Sequence, residues 1–294
     1  MDASDLRIFE AVARLGGISR AAAELNTVQS NVTTRIRRLE DELGVTLFRR
    51  HSRGVSLTSA GETLLPHAVQ VGHALEQARR AVQAAEQPQG SLVVGSLETT
   101  AALRLSPVLA EYAAAYPSVD LVLKTGTTAE LIDSVLAAEL EGAFVCGPVD
   151  HPALSWDIAF REEMALATST SLASLDDLAL RDGVKLVVLR SGCSYRQRLE
   201  DILARRGIVG LRQLEFGTLD SIIGCVGAGL GVTLLPRGVL EEARRAGRIA
   251  LHEPPEDDRV AETLFIRRRD GFVSSALSAF VRIARAERLA DAAE

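Results

Sequence analysis

The stretch from Ile18 to Gly54 constrains the fold of this chain most, because two short helical patterns there meet at a tight turn and a cationic hairpin follows. Asn26-Thr27 breaks the helical period and offers an N-cap for the second helix. That helix is predicted to run from Val28 to Leu43 and to stop at Gly44. Apolar residues recur along it at steps of three and four, so they face inward: Val32, Ile36, Leu39 and Leu43.

The opposite face of the second helix is polar at its start and ends in a cation, which suits a helix end that enters a major groove. An ordinary helical bundle with a solvated face would show the same amphipathic pattern. The strand-like run Val45–Phe48 and the arginine-rich turn at 49–54 favour a winged helix-turn-helix instead. We expect base contacts from Gln29, Thr33, Thr34 and Arg37, and backbone or minor-groove contacts from Ser30, Arg49 and Arg53.

Five motifs appear in order over about sixty residues: F-x-A-V-A from Phe9, S-x-A-A-x-x-L from Ser19, L-E-x-x-L-G from Leu39, L-F-x-R from Leu47 and L-T-x-A-G from Leu57. Together they are far more specific than any single motif. This region resembles the N-terminal domain of LysR-type transcriptional regulators. The resemblance implies a protein that binds double-stranded promoter DNA, with RNA polymerase as a further partner.

The net charge of the whole chain is −6, which is unusual for a DNA-binding protein. Residues 1–58, the predicted DNA-binding domain, hold nine Arg, no Lys and seven Asp or Glu, which gives +2 and leaves −8 for the remainder. Local clustering of cations attracts phosphate more than the total charge does. The arginines cluster at 35, 37 and 38 and at 49, 50 and 53.

A long helix is predicted over residues 59–88, with small or apolar residues at alternating steps of four and three. The stripe comprises Leu64, Ala68, Val71, Leu75, Ala78, Val82 and Ala85. It could pack on its own domain, but few of its residues are large, so a partner helix is favoured. The resemblance implies antiparallel pairing in a dimer, which would place two recognition helices about 34–36 Å apart on DNA. It also favours a homotetramer built from two dimers.

Strands and helices alternate through the remaining chain, residues 89–294, which predicts α/β architecture with parallel strands in two lobes. Two motifs, L-x-x-Y-x-x-x-Y-P from Leu109 and G-x-G-x-x-L-L-P from Gly229, carry the family resemblance here. It implies a type-2 periplasmic-binding-protein fold. Lobe I would comprise 91–161 and 267–294 and lobe II 162–266, with crossings near 162 and 266.

Hydroxyl-bearing residues follow several of these strands, where a ligand of an open α/β sheet sits. Helix N-termini at the same places, together with Arg196, favour a carboxylate or amino-acid-like effector. Ser and Thr are also favoured helix caps, such as Thr128 before the helix predicted to reach Ala138, and Arg196 could serve in a surface ion pair. The candidate effector residues are Ser96, Thr99, Thr100, Thr128, Gly147, Cys193, Ser194, Tyr195, Arg196 and Thr218.

Cys193 offers an alternative, because a thiolate at a helix N-terminus beside Arg196 would be stabilised. The chain could then be a redox-sensing regulator. No resolving cysteine lies nearby in the sequence, and Cys146 and Cys225 stand in apolar runs typical of core residues. An inert or ligand-lining Cys193 is therefore favoured over a redox switch.

Other classes of protein fit the sequence less well. The five histidines show no catalytic spacing, and neither a G-x-S-x-G elbow nor a P-loop occurs, so an enzyme is not expected. No cofactor or metal site is predicted. An architectural DNA binder without an effector would not need the polar strand ends. The N-terminus lacks a signal peptide, and the uncharged run Ser221–Pro236 is too short to span a bilayer, so we expect a cytoplasmic protein without membrane contact.

Overall fold

The computed structural model describes residues 1–51, 54–82, 87–172, 174–180, 185–189 and 194–291. The chain divides into two compact units, residues 1–84 with 137–139, and residues 85–136 with 140–294. In the described part of the chain, no helix combines the length and the apolar composition needed to cross a membrane.

The first unit is a winged helix-turn-helix followed by a long helix. Its elements are α1 (Ala3–Leu15), α2 (Ile18–Glu24), α3 (Gln29–Leu43), β1 (Phe48–His51), β2 (Gly54–Leu57) and α4 (Ser59–Val82). A capping box between Asp2 and Asp5 starts α1. The three helices bury a common apolar core that includes Phe9, Val12, Ala21, Val32, Ile36, Leu39 and Leu47.

The structure confirms the predicted C-terminal end of α3 and contradicts its predicted N-cap. Its C-terminal end is confirmed, since Gly44 adopts the left-handed conformation with φ 68° and caps the helix. The N-cap predicted at Asn26-Thr27 is wrong, because Val28 occupies the N-cap position and the helix begins at Gln29. The Thr27 hydroxyl instead accepts a 2.9 Å hydrogen bond from Asn31 Nδ2.

The apolar stripe of α4 divides into two parts. Leu64, Ala68 and Val71 pack against the core of the winged helix, so this half of the stripe serves its own domain. Leu75 is 49% exposed and Ala78 is also exposed. The side chain of Val82 and the whole of Ala85 lie outside the described residues. The predicted partner helix therefore concerns only the second half of α4.

The second unit alternates strands with helices. In chain order it contains β3 (Gly90–Ser96), α5 (Glu98–Thr100), a π-helical turn (Ala101–Leu105), α6 (Ser106–Ala115), β4 (Val119–Thr125), α7 (Thr128–Leu136), β5 (Gly142–Cys146), β6 (Leu154–Thr168), a 3-10 turn (Leu175–Leu180), β7 (Lys185–Leu189), α8 (Ser194–Ala204), β8 (Arg212–Phe216), α9 (Leu219–Gly227), β9 (Gly231–Pro236), α10 (Arg237–Arg245), β10 (Ala250–His252), a second 3-10 turn (Glu256–Asp258), β11 (Val260–Arg268) and α11 (Ser275–Asp291).

The strands follow the order β4-β3-β5-β11-β6-β9-β7-β8, with β10 beside β6. Strand β6 passes from one lobe to the other. Residues 154–163 pair with β11, whereas residues 164–168 pair with β9 and β10. The return to the first lobe lies before Val260 rather than near residue 266, because β11 pairs with β5 from Thr263 to Ile266. β11 thus belongs to lobe I, and the predicted lobe boundary was several residues late.

Two parallel strand pairs define the facing ends of the lobes. In lobe I, β3 pairs with β4 so that Ser96 lies opposite Thr125. In lobe II, β7 pairs with β8 so that Leu189 lies opposite Phe216. In each pair the carboxyl ends of both strands meet at one sheet edge, the place where α/β proteins bind ligands.

Candidate functional site

The polar face of α3 is the first candidate site. Gln29, Ser30, Thr34 and Arg37 are exposed, and Thr33 is half-buried. The opposite face of the helix is buried in the core through Val32, Ile36 and Leu39. The prediction that Leu43 also faces inward is wrong, because this residue at the end of the helix is 38% exposed. One face of a single helix therefore presents amide, hydroxyl and guanidinium groups within nine residues, which is a set of groups able to read base edges.

The Gln29 side chain is already oriented by a neighbour. Its Nε2 donates a hydrogen bond to the Ser19 hydroxyl. Gly17 holds the N-cap position of α2, so the Ser19 hydroxyl does not cap that helix and can accept this bond. The bond leaves the Gln29 amide oxygen as an acceptor and the second Nε2 hydrogen as a donor at the exposed end of α3.

Arg35 does not belong with the phosphate-attracting arginines, as its place in the sequence cluster had suggested. Its Nε donates to Asp5 Oδ1 at 2.7 Å, and its terminal nitrogen lies 3.2 Å from Asp2 Oδ1. The Asp5 side chain is fully buried. The hydrogen bond from Arg35 to Asp5 raises the pKa of the guanidinium. Arg35 therefore fastens α3 to α1 and holds the reading face in position, whereas Arg37 and Arg38 are exposed.

The wing is the hairpin of β1 and β2, in which Arg49 is exposed. Gly54 approaches the helical part so closely that a Cβ there would lie 2.5 Å from the Gly16 carbonyl oxygen. This contact fixes the base of the hairpin against the turn between α1 and α2. Arg53 lies outside the described residues, so its contact with DNA stays a prediction.

A cavity of about 230 Å³ between the two lobes of the second unit is the other candidate site. It lies at the carboxyl ends of the two parallel strand pairs. The described residues that line it are Leu97, Glu98, Thr99, Thr125, Gly126, Thr127, Glu130, Leu189, Tyr195, Phe216 and Gly217. The walls are therefore partly apolar, with hydroxyl groups and two carboxylates among them.

Two of the predicted effector residues, Thr99 and Tyr195, line this cavity. Thr99 is 1% exposed, and its hydroxyl has no hydrogen-bond partner among the described residues. Two more of the predicted residues link the lobes beside the cavity. The Ser194 hydroxyl donates to Thr128 Oγ1 at 3.2 Å, and the Cys146 amide donates to the same oxygen at 3.3 Å.

The helix that follows β4 is capped one residue earlier than predicted. Thr127, not Thr128, precedes the first residue of α7, and it forms a reciprocal pair with Glu130. Glu130 Oε2 accepts from the Thr127 amide at 2.8 Å, and the Glu130 amide donates to Thr127 Oγ1 at 3.3 Å. A carboxylate of the chain itself thus occupies the start of α7.

Besides Thr128, Ser194 and Arg196, four predicted residues are absent from the described lining. The Ser96 hydroxyl donates to the Leu97 carbonyl at 2.9 Å, and Thr100 is buried. The Gly147 amide donates to the Glu262 carbonyl at 2.9 Å. Thr218 caps α9, where its side chain accepts from the Ser221 amide. These residues shape the strand ends and helix starts around the cavity.

Arg196 has the surface role that the sequence had offered as its alternative. Its Nε lies 3.1 Å from Glu200 Oε1 and its Nη1 lies 3.4 Å from Glu215 Oε1. Arg196, which was predicted to pair with the carboxylate of an effector, therefore pairs with two glutamates of the chain. Cys193 lies outside the described residues, and its redox role stays a prediction. Cys146 is buried, with its thiol 3.4 Å from the Gly147 carbonyl.

The charged and aromatic residues of the lining are not among the residues predicted from sequence. Glu98, Glu130 and Phe216 lie within two residues of the predicted hydroxyl positions. The signal for Glu130 was present, since Thr127 and Glu130 have the T-x-x-E spacing of a capping box. For Phe216 the signal was its place at the end of β8, which becomes informative only once the pairing with β7 is known.

Comparison with known families agrees with this architecture. The model of the LysR substrate binding domain matches residues 85–288, and the model described as bacterial regulatory helix-turn-helix protein, lysR family, matches residues 3–62. The chain belongs to the LysR family. Both the predicted family and the predicted fold class are thereby confirmed, and the protein is a DNA-binding transcriptional regulator with an effector-binding domain.

Curated relatives match over nearly the full length of this LysR-type regulator. It is 44% identical over 279 residues to the HTH-type transcriptional regulator GltR of Bacillus subtilis, covering 94% of this chain and 93% of the relative. It is also 44% identical over 276 residues to the HTH-type transcriptional regulator YofA of Bacillus velezensis, covering 94% and 95%.

Solved structures share the fold of the LysR-type chain at lower identity. A full-length OxyR variant from Pseudomonas aeruginosa aligns with a TM-score of 0.71 at 23% identity, covering 97% of this chain and 95% of that one. CbnR, a LysR family transcriptional regulator, aligns with a TM-score of 0.66 at 23% identity, covering 98% and 99%. At this identity the likeness concerns the fold alone.

Proposed function

We propose that this regulator binds promoter DNA as a dimer, inserting α3 into the major groove, and that a small amino-bearing metabolite in the inter-lobe cavity controls it. The observation that carries the DNA-reading part is the exposed polar face of α3. Gln29, Thr33, Thr34 and Arg37 would contact bases, while Ser30, Arg49 and Arg53 would contact the backbone or minor groove. CbnR, which shares this fold, has been solved as a full-length protein in complex with its target DNA.

The second half of α4 supplies the dimer contact in this proposal. Leu75 and Ala78 are exposed at the heptad-like spacing, whereas the earlier residues of the stripe are used within their own domain. An exposed leucine at that spacing is satisfied by a partner helix. A tetramer of two such dimers is the further assembly that we propose, and effector binding would change how its subunits pack.

The cavity lining favours an effector that carries a protonated amine, as an amino-acid-like metabolite does. The Glu98 carboxylate lines the cavity and makes no ion pair with the described residues. Next to it, the buried Thr99 hydroxyl lacks a partner among those residues. An ammonium group would donate hydrogen bonds to both, while the apolar part of the ligand would lie against Leu97, Leu189 and Phe216.

Thermal unfolding in matched ligand series tests the effector proposal, because a ligand that binds only the folded state raises the unfolding midpoint. The series are n-butylamine, butyrate and γ-aminobutyrate, and benzylamine, benzoate and phenylalanine. We expect the amine-bearing members to raise the midpoint and the pure carboxylates to leave it unchanged. A rise with butyrate or benzoate alone would overturn the amine assignment and favour a carboxylate effector.

DNA binding is tested by selecting 40-base-pair duplexes from a random library with the full-length protein. We expect a selected site with two-fold symmetry, because a dimer binds two half-sites. Recovery of sequences that share no common motif would overturn base reading by α3.

Treatment of the bound complex with peroxide, compared between the native chain and Cys193→Ser, tests the redox alternative. A loss of DNA binding only in the native chain would favour a redox-sensing regulator.

A further inference from the structure

Val28 is an exposed apolar residue at the start of the helix that reads DNA. The residue is 64% exposed, more than any other large apolar residue that the structure describes in the first unit. Single exposed apolar residues are common on protein surfaces. The position of Val28 in the helix makes this one unusual.

Val28 is unfavourable for its own domain in two ways. It holds the N-cap position of α3, where Ser, Thr, Asp or Asn would bond a free amide of the first turn, and the structure has no side-chain cap there. It also leaves an aliphatic side chain in water instead of burying it. Residues that break local rules without a gain in stability are expected at functional sites.

The surroundings of Val28 indicate what it contacts. Gln29 and Ser30 follow it directly and are exposed on the same end of the helix. The neighbouring Thr27 hydroxyl accepts a hydrogen bond from Asn31. The branched side chain of Val28 is an apolar group exposed at this end of the helix. In the major groove only thymine offers an apolar group, its 5-methyl, and apolar side chains contact it.

We propose that Val28 contacts a thymine methyl group and thereby adds a thymine requirement beside the base that Gln29 reads. The inference rests on the proposed function, because it requires the N-terminal end of α3 to enter the major groove. Val28 is then a specificity-determining residue that the domain retains at the expense of a helix cap.

Removal of single methyl groups from the DNA tests the contact. The probe is the duplex selected from the random library by the full-length protein, with each thymine replaced in turn by deoxyuridine, and Kd is measured by fluorescence anisotropy. We expect the native protein to bind about five- to tenfold more weakly when one symmetry-related pair of thymines is replaced. Val28→Ser should show less than about a twofold effect at that pair.

Val45→Ser is the matched control, because Val45 is 45% exposed just beyond the opposite end of α3. It should retain the methyl dependence of the native protein. Thermal unfolding gives a second readout: Val28→Ser should raise the unfolding midpoint of the DNA-binding unit, since serine restores the N-cap, whereas Val45→Ser should not. A structural role for Val28 would lower the midpoint instead.

The outcomes distinguish failure of the Val28 contact from failure of base reading by α3. If no thymine methyl matters, or if Val28→Ser retains the same dependence, the Val28 contact is wrong while base reading by α3 stands. If Gln29→Ala leaves discrimination between matched and mismatched sites unchanged as well, base reading by this end of the helix fails and the Val28 contact fails with it.

Discussion

The two candidate sites are built in opposite ways. The DNA-reading face comes from one helix, in which Gln29 and Arg37 are eight residues apart and share an exposed face. The cavity is assembled from segments between Leu97 and Gly217, brought together by two parallel strand pairs. Helical period alone places the first set of side chains, whereas strand pairing and the approach of two lobes place the second. A site can therefore be predicted from sequence to the extent that its geometry is local.

The predictions from sequence follow this division. The helix-turn-helix, the stop at Gly44 and the buried face of α3 were readable from spacing, because a helix fixes the relative directions of residues three and four apart. The segments that approach the cavity were also readable as strand ends. Which residue of each segment lines the cavity was not, since the choice between Thr128 and Thr127, or between Thr218 and Phe216, depends on where a strand ends and what it pairs with.

Charge was the hardest property to place from sequence. Arg35 and Arg37 are two residues apart, yet one is paired with Asp5 in the domain interior and the other is exposed. Arg196 was expected to meet an effector but is paired with Glu200 and Glu215. Long side chains find partners that are distant in sequence, and only tertiary structure reveals those partners.

The largest effect is expected from breaking a long-range ion pair in the second unit. Arg104, in the π-helical turn, contacts Glu162 on β6 with distances of 2.8 and 3.0 Å, and the Glu162 side chain is 7% exposed. Glu162→Ala should lower the free energy of unfolding of this unit by about 3 kcal/mol, because it removes the carboxylate that pairs with a largely buried guanidinium. Urea unfolding followed by circular dichroism measures the loss.

The neighbouring Arg161–Glu262 pair provides the control for that loss. Both side chains are well exposed, so Arg161→Ala should cost no more than about 0.5 kcal/mol. Equal losses in the two variants would mean that burial does not distinguish these pairs. DNA contacts of the separate first unit should be unchanged by either substitution when measured below the unfolding range.

The next effect concerns base recognition. Gln29→Ala should reduce discrimination at one base position of the selected site by about 1–3 kcal/mol, because a bidentate amide contact to adenine would be lost. Competition between matched and mismatched duplexes measures it. Equal loss of affinity for both duplexes would make Gln29 a backbone contact. Base reading by α3 would then depend on Thr34 or Arg37.

A comparable test addresses the cavity. Glu98→Gln should weaken binding of any amine identified by thermal unfolding about tenfold, or about 1.4 kcal/mol, since a charge-assisted hydrogen bond becomes a neutral one. Isothermal titration calorimetry gives the dissociation constants of the amine for the native chain and for Glu98→Gln. Glu111→Gln is the matched control, because Glu111 is exposed on α6 and is not among the described lining residues, and it should leave the affinity unchanged. If Glu98→Gln binds the amine as tightly as the native chain, another group holds the ammonium.

A smaller effect is expected from the wing. Arg49→Ala should weaken binding to matched and mismatched DNA alike and reduce the slope of log K against log salt by about 1, because one phosphate contact is removed. Binding measured at several salt concentrations separates this change from the one in Gln29→Ala. A change confined to one base position would place Arg49 among the base-reading residues.

The smallest effect is a pH dependence confined to the second unit. Partial burial, followed by the charge of Arg206, lowers the pKa of His252, whose Nε2 lies 2.8 Å from Thr168 Oγ1. The unfolded chain then binds the proton more tightly, so His252 stabilises the fold above its unfolded pKa of about 6.5, and this contribution disappears as pH falls through the lower folded pKa. Urea unfolding at pH 8 and pH 5 should therefore show a loss in the native chain that is smaller in His252→Asn. An equal loss in both would assign the acid sensitivity to a group other than His252. It would not be Glu241, because the Arg244 hydrogen bond lowers the pKa of that carboxyl to about 2, so its contribution is lost only below pH 4.5.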